Sequence, residues 1–204
     1  ASLWGLDLDQ ETVWSGDEGT TEVSGASRRL GVEFEGRARL ASWLFADVDV
    51  TYSDSKYRQN AGNGDSVALA PRLTIAAGLS ALTPFGLRGS LRFTGISDRP
   101  ATEDGFLQAQ GSYLLDAFLA YRVRRVEFGV SVENLTNARY KQAQFATTSR
   151  LRGEAPTNAP PPPNACPART RAQVGDDGHF LGCEDINFSP GNPINVQATA
   201  TVFF

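Results

Sequence analysis

Residues 192–204 alternate between apolar and polar side chains with a period of two. The apolar side chains are those of Ile194, Val196, Ala198, Ala200, Val202 and Phe204. The polar side chains between them include those of Asn195, Gln197, Thr199 and Thr201. This pattern is typical of a β-strand with one apolar face and one hydrated face. Taken alone, it also fits the half-buried edge strand of a soluble domain.

The same pattern recurs along the chain and predicts about eight strands of roughly nine to twelve residues, the length that crosses a bilayer. In the clearest case, residues 32–40, the positions between the apolar ones hold Glu33, Glu35, Arg37 and Arg39. Unpaired charges are not buried in a dry core, so we expect this face to meet water. The predicted strands span residues 3–14, 32–40, 44–53, 72–81, 87–94, 113–124, 126–133 and 192–204.

The connections between these strands alternate between short turns and long polar loops. Turns are predicted near residues 41–42, 83–85 and 124–125, and loops over 16–25, 59–66, 97–110 and 146–189. An outer-membrane barrel has short turns on the periplasmic side and long loops on the outside, whereas a soluble sandwich has no reason for this alternation. We therefore predict an all-β fold, an antiparallel transmembrane β-barrel.

Aromatic residues are predicted at both ends of the strands, where barrels carry girdles at the headgroup level. The loop ends hold Tyr52, Tyr57 and Tyr140, and the turn ends hold Trp43, Phe85, Tyr121 and Phe204. In the first strand, Trp4, Leu6 and Leu8 form the apolar face.

Composition limits the classes of function. The net charge is -4 and no long run of Lys or Arg occurs, which argues against a nucleic-acid partner. The mean hydropathy of -0.28 is usual for soluble proteins, but half of each barrel strand is polar, so this value is compatible with a barrel. The chain has no methionine, and its first residues show neither the basic start nor the apolar segment expected of a signal peptide. We therefore expect a processed or truncated protein.

Three segments carry a family resemblance: the terminal strand ending in Phe204, the segment 132–140 and the segment 69–72. Together they resemble the C-terminal part of a TonB-dependent outer-membrane receptor. Members of that family commonly show Glu-Asn-Leu-Phe-Asp and a following Tyr in the penultimate strand. This chain matches that pattern at Glu133, Asn134, Leu135 and Tyr140. It departs from it at Thr136 and Asn137.

The resemblance implies that residues 1–204 are the last strands of a barrel of roughly twenty-two strands, without its plug domain. It implies a place in the bacterial outer membrane, contact with lipid, and assembly by machinery that reads the C-terminal strand at Val202 and Phe204. The parent receptor would import a scarce nutrient, most often a ferric siderophore. The TonB system would act through the missing plug domain.

The only two cysteines, Cys166 and Cys183, lie in the predicted extracellular loop 146–189. Disulfides persist outside the cell, so we predict that the two cysteines are bonded. A metal site is the alternative, but a single His179 and the lack of Cys-x-x-Cys spacing make a poor zinc site. The same loop contains a proline run at residues 159–164, which is expected to be stiff and extended.

No motif for nucleophilic, phosphate or metal chemistry occurs, so we predict no catalytic residues, no metal and no cofactor. The charges of both signs on the hydrated face are explained by pairing between strands. Tyr57, Arg58 and Arg99, near loop ends, are the candidate ligand-binding residues. Two other functions stay open at this point: a complete eight-stranded barrel serving as an anchor or adhesin, and a soluble barrel that binds a lipophile.

Overall fold

The structure is a computed structural model that describes residues 1–15, 20–58, 64–150, 160–161 and 165–204. Within these residues the regular structure is all β. In chain order the strands are β1 (Ser2–Leu8), β2 (Glu11–Ser15), β3 (Thr20–Ser24), β4 (Ser27–Ala41), β5 (Leu44–Tyr57), β6 (Leu73–Leu82), β7 (Leu87–Ile96), β8 (Arg99–Pro100), β9 (Gln108–Ala109), β10 (Ser112–Val123), β11 (Val126–Glu133), β12 (Lys141–Ser149), β13 (Arg171–Val174), β14 (Phe180–Pro190) and β15 (Asn195–Val202).

Eight of these strands form one antiparallel sheet, which we call the wall. Its order is β1-β4-β5-β6-β7-β10-β11-β15, so each wall strand pairs with the next wall strand along the chain. The all-β antiparallel prediction is confirmed. The edges of the wall are β1, which pairs with β4, and β15, which pairs with β11. A closed eight-stranded barrel would need a ladder between β1 and β15, and the sheet does not contain one.

The wall has one apolar face and one charged face, because residues directly opposite in an antiparallel ladder point to the same side. Phe34 lies opposite Val50, and Glu35 lies opposite Asp49. Side chains on the apolar face are exposed or half-exposed from β4 to β15. Among its large side chains, the exposed fraction is 51% at Phe34, 60% at Phe128 and 63% at Val196. The apolar rows therefore do not meet one another in a dry interior.

The first predicted strand, 3–14, is wrong in its extent. β1 ends at Leu8, which pairs with Ser27 at the start of β4, so its partner strand goes no further. The chain beyond then forms a separate hairpin in which β2 pairs with β3. The predicted loop 16–25 consequently contains a strand.

The register of β1 places its apolar row on the charged face of the wall. Trp4 lies opposite Gly31 and Leu6 opposite Arg29, whereas Leu3 lies opposite Val32. The ring of Trp4 covers Gly31 so closely that a Cβ there would lie 2.4 Å from a ring carbon. Trp4 and Leu6 thus share the side of Glu33, and Leu3 is the β1 residue that continues the apolar face.

Two further predicted loops contain strands of their own. The connection 97–111 holds the short ladder β8–β9. The predicted loop 146–189 belongs to a three-stranded sheet of order β12-β14-β13, and this sheet begins before the predicted loop, at Lys141. We call residues 141–190 the excursion. The predicted extended proline run at 159–164 lies outside the described residues except for Pro160 and Pro161.

The connections of the wall confirm the predicted alternation. The short ones join β4 to β5, β6 to β7 and β10 to β11. The long ones are residues 9–26, 58–72, 97–111 and 134–194, and we call them together the loop layer. Because adjacent wall strands are antiparallel, all four long connections emerge at the same end of the wall.

Candidate functional site

Charges on the charged face pair across an intervening strand that carries a small residue. Asp47 on β5 and Arg92 on β7 flank Gly78 on β6, since Gly78 is opposite both of them. The Arg92 guanidinium lies 2.6 Å from the Asp47 carboxylate. A Cβ on Gly78 would lie 2.6 Å from that carboxylate, so glycine leaves room for the ion pair.

A second bridge of this kind joins Arg88 on β7 to Glu127 on β11. The strand between them is β10, where Ala120, 1% exposed, lies opposite Arg88 and Arg122 lies opposite Glu127, so this bridge runs diagonally. Both bridges fit the predicted cross-strand pairing of charges. At Gly78 the small residue is required, because a side chain there would meet the Asp47 carboxylate.

An open recess of about 500 Å³ lies on the charged face where β4 and β5 approach their turn. Its charged lining residues are Arg37, Arg39, Asp47, Asp49 and Arg92. Within it, Arg92 pairs with Asp47, and Arg39 lies over the ring of Phe45. The arrangement supplies a surface of mixed charge, with three arginines and two aspartates.

In the loop layer, Arg58 joins the first long connection to the second. Its guanidinium lies 3.0 Å from the Asp9 carboxylate and 3.5 Å from the Leu8 carbonyl oxygen. Its backbone N–H donates to the carbonyl of Ala26 at 2.7 Å. Tyr57, the residue before it, is 8% exposed. Tyr57 is therefore buried at the loop end of β5 and is not part of the exposed aromatic girdle that the sequence predicts.

The second connection is joined to the third by backbone hydrogen bonds. The Leu69 N–H donates to the Pro100 carbonyl at 2.7 Å, and the Ser66 N–H to the Glu103 carbonyl at 3.0 Å. Arg99, beside this contact, is half-buried, and burial lowers the pKa of its guanidinium while Asp98 opposes that effect. Arg99 donates to the Gln110 carbonyl at 3.5 Å. This contact of Arg99 lies within its own connection, whereas the Arg58 guanidinium contacts lie in the first connection and at the end of β1.

Gln144 joins the third connection to the excursion. Its side-chain amide donates to the Gln110 carbonyl at 2.7 Å and accepts from the Gln110 N–H at 2.8 Å, which copies the pairing of a β-ladder. Gln144 is 3% exposed. Beside it, Ala146 and Ile186 pack against the small apolar core formed by Ala101, Leu107 and Ala109.

Arg171 forms a second link between the third connection and the excursion. Its guanidinium bonds the Asp104 carboxylate on one side and lies 2.6 Å from the Glu184 carboxylate on the other. Burial raises the pKa of Asp104, but hydrogen bonds from Thr102, the Phe106 N–H and Arg171 outweigh burial and hold it below its usual value. Burial likewise lowers the pKa of Arg171, and its two carboxylate partners more than offset that.

The cysteine pair lies inside the excursion. Cys166 and Cys183 form a disulfide with a Cα–Cα distance of 5.6 Å, as the sequence predicts. His179 lies 2.8 Å from the Asp177 carboxylate. Across the described part of the chain, no group of three or more His, Cys, Asp or Glu residues could hold a metal ion. No described helix is long and apolar enough to cross a membrane.

The residues that hold the loop layer together are mostly absent from the sequence predictions. Arg171, Asp104 and Gln144 lie far apart in the chain and in no motif, so no sequence signal marks them. The contacts instead follow from the order of wall strands, because connections that leave neighbouring strands at one end are neighbours themselves. The sequence predicts Arg58 as a ligand contact, and the structure shows its guanidinium in contact with the Asp9 carboxylate.

An antiparallel sheet with an exposed apolar face, a charged opposite face and its long connections at one end is a portion of a transmembrane β-barrel. The family model described as TonB dependent receptor-like, beta-barrel matches residues 1–135. The chain therefore belongs to this family. A comparison with curated protein sequences found no match.

Solved receptors share the fold. The ferric-catecholate import receptor Fiu from E. coli K12 is 17% identical with a TM-score of 0.62, over 99% of this chain and 24% of its own. The ferric yersiniabactin uptake receptor FyuA from Yersinia pestis is 19% identical with a TM-score of 0.58, over 91% of this chain and 25% of its own. The siderophore receptor PiuA from Acinetobacter baumannii is 13% identical with a TM-score of 0.61, over 98% of this chain and 25% of its own. This chain spans about a quarter of each receptor's length.

Proposed function

We propose that this chain forms part of the wall and loop layer of an outer-membrane transport receptor, and that the complete receptor takes up a ferric siderophore or a similar scarce solute. The observation that carries the proposal is the division of the wall into an exposed apolar face and a charged face. An apolar face of this extent suits lipid tails, and the paired charges suit a hydrated lumen.

The two edges of the wall support a larger barrel. In lipid, unpaired backbone groups along an open strand edge cost several kcal/mol each, so β1 and β15 require further strands as partners. This argues against a closed eight-stranded anchor or adhesin. The receptors with the same fold, each about four times as long, have room for such strands.

The partners follow from the same proposal. Lipid contacts the apolar face, the barrel-assembly machinery reads the terminal strand at Val202 and Phe204, and the TonB system acts through a plug domain elsewhere in the receptor. The excursion and the rest of the loop layer face the cell exterior, where the disulfide persists. We assign no catalytic role to the chain.

Ligand contact by Tyr57, Arg58 and Arg99 stays a prediction. Arg58 would have to exchange its Asp9 carboxylate for a solute, and Tyr57 would have to leave a buried position. Arg99 has no described carboxylate within ion-pair distance, and its half-buried guanidinium is the member of the three best able to accept an anionic solute without breaking an existing ion pair.

The test is uptake of radioactive iron, supplied as a panel of ferric siderophores, by iron-starved cells with and without the gene for the complete receptor. Loss of uptake of one siderophore in the deletion strain, its restoration by the gene and its abolition by a protonophore are the expected results. Equal uptake of every solute by both strains, with the protein in the outer-membrane fraction, would contradict the transport proposal while leaving the barrel intact.

A further inference from the structure

The neck of the excursion, where the chain leaves β11 and returns to β15, contains a second recess. Its volume is about 550 Å³, and it lies between residues 137–141 and residues 188–193. Hydrogen bonds tie these two segments together. The Gly191 N–H donates to the Tyr140 carbonyl at 2.8 Å, and the Ile194 N–H donates to the Asn137 side chain at 3.1 Å.

Asn134 braces the same neck from below. Its side-chain amide donates to the carbonyls of Ala138 at 2.9 Å and Asn192 at 3.0 Å, and its side-chain oxygen accepts from the Ala138 N–H at 2.8 Å. Asn134 is 4% exposed. The walls of the recess are therefore held in place before any ligand arrives, as is usual for small-molecule sites.

The charged residues that line the neck recess are all cationic. Arg139 and Lys141 line it, and no carboxylate does. In the part of the chain that the structure describes, neither of these cations has a carboxylate within ion-pair distance. By contrast, Arg28, Arg58, Arg88, Arg92 and Arg171 all have one. Two cations without counter-charges in one recess attract an anion.

Aromatic rings complete the neck recess. The Lys141 ammonium lies 4.3 Å from the centre of the Phe188 ring. The Tyr140 ring lies against Gly191, where a Cβ would be 2.3 Å from a ring carbon, so glycine is required for the ring to lie flat. Pro190 and Pro193 add apolar walls without N–H groups. Beside the cations, a ligand thus finds flat apolar surface.

We propose that the neck recess binds a phosphate group, or an anion of similar charge, that is attached to an apolar or aromatic body. Arg139 and Lys141 contact the anion, and Tyr140 and Phe188 contact the body. Such a group could reach the recess from a soluble solute or from a lipid headgroup, since the apolar rows of β11 and β15 begin just below the neck at Val132 and Val196. This site is independent of what the receptor transports.

The test uses the complete receptor barrel in neutral detergent, and the probes are phenyl phosphate and, in mixed micelles, phosphatidic acid. Binding is measured by calorimetry for the wild type and for Arg139→Gln/Lys141→Gln. The matched control is Arg124→Gln/Arg125→Gln, which removes the same charge at the β10–β11 turn, the opposite end of the wall. Lys141→Arg keeps the charge, and heat-modifiable migration verifies that each variant folds.

We expect wild type, Lys141→Arg and the turn control to bind alike, and the neck double variant to bind at least about tenfold more weakly, the loss of one to two charge-assisted contacts. Binding of phenyl phosphate identifies a soluble solute as the source, and binding of phosphatidic acid alone identifies a lipid headgroup. Binding of neither probe, or equal binding by the neck variant and the turn control, overturns the proposal. If the double variant does not fold, the single variants Arg139→Gln and Lys141→Gln decide on the same criterion.

Discussion

In the wall, the large apolar side chains lie on an accessible face, whereas in the loop layer a small set of apolar side chains is buried. Val67, Ala101, Leu107, Ala109 and Phe180, all in the loop layer, are each at most 7% exposed. On the wall, Leu91 and Val130 are 43% and 44% exposed although they lie within their strands. The loop layer is organised like a small soluble domain with a core and a disulfide. The wall has its apolar side chains on an outer face instead of in a core. Its stability therefore depends on strand ladders, on ion pairs and on what covers that apolar face.

We expect the largest difference in stability between two variants from Leu91→Arg, on the apolar face of the wall, and Ser90→Arg, on its charged face. Leu91 is on the apolar face of β7, so an arginine there costs about 2–4 kcal/mol if lipid covers it near the bilayer centre. Ser90 points to the charged face, where an arginine stays hydrated and costs little. The measurement is the temperature at which the folded, fast-migrating gel form is lost in lipid. Equal losses for both variants would mean that the two faces do not differ in environment.

The next largest effect is expected in the loop layer, from Cys166→Ser/Cys183→Ser. Opening this disulfide releases a loop of 17 residues, which costs on the order of 3 kcal/mol. We expect faster hydrogen exchange at β13 and β14 and faster protease cleavage of the excursion. The melting of the wall should stay unchanged, because the disulfide lies wholly in the excursion. A matching fall in wall stability would show that the two regions unfold as one unit.

A smaller effect on the wall is expected from Gly78→Val, which places side-chain atoms where Asp47 and Arg92 meet. Since this pair is partly solvated, we expect a loss of about 1–2 kcal/mol from overpacking and separation of the charges. Ala76→Val, on the same face of β6 but away from the ion pair, is the control. In an Asp47→Ala background the cost of Gly78→Val should shrink. If Gly78→Val loses the same free energy of unfolding in both backgrounds, the loss comes from the backbone and not from the ion pair.

The smallest expected effect is the acid response of the loop layer at Asp104 and Arg171. Because the folded pKa of Asp104 lies below its usual value, the stabilisation is present above that usual value and is lost as the pH falls through the lowered pKa. For this half-exposed pair we expect less than about 1 kcal/mol. The protection of the amides at residues 171–174 against hydrogen exchange, measured relative to the intrinsic rate at each pH, should fall in acid. In Asp104→Asn this protection should be low already at neutral pH, and a wild-type acid response in that variant would contradict the assignment.

The wall could be predicted from the sequence because the patterns that mark its strands and turns are local. Strands such as β4 and β5 carry the period-two pattern that a two-sided sheet requires, and turns such as residues 42–43 interrupt it. The same pattern in β15, together with residues 132–140 and 69–72, was enough for the family resemblance. The disulfide could be predicted because the loop holds only two cysteines.

The loop layer could not be predicted in the same way. Nothing in the sequence distinguishes Gln144 from other polar residues. Its role in joining two connections depends on its hydrogen bond to Gln110, which is 34 positions away. The neck recess combines residues from both ends of the excursion. Tyr57 belongs to a regular strand, and only its neighbours decide that it is buried.

The sequence by itself determined the strands of the wall, the alternation of its connections and the separation of apolar from charged side chains, because each of these is written in the spacing of adjacent residues. The tertiary structure decided which side of β1 faces which side of the wall, where that strand ends, and how the four long connections interlock. Register is the physical reason. Shifting a strand by one residue exchanges its two faces, and contacts with the partner strand determine which face lies on which side. In β1, the Trp4 ring packs over Gly31 of β4, where no other residue would leave room for it.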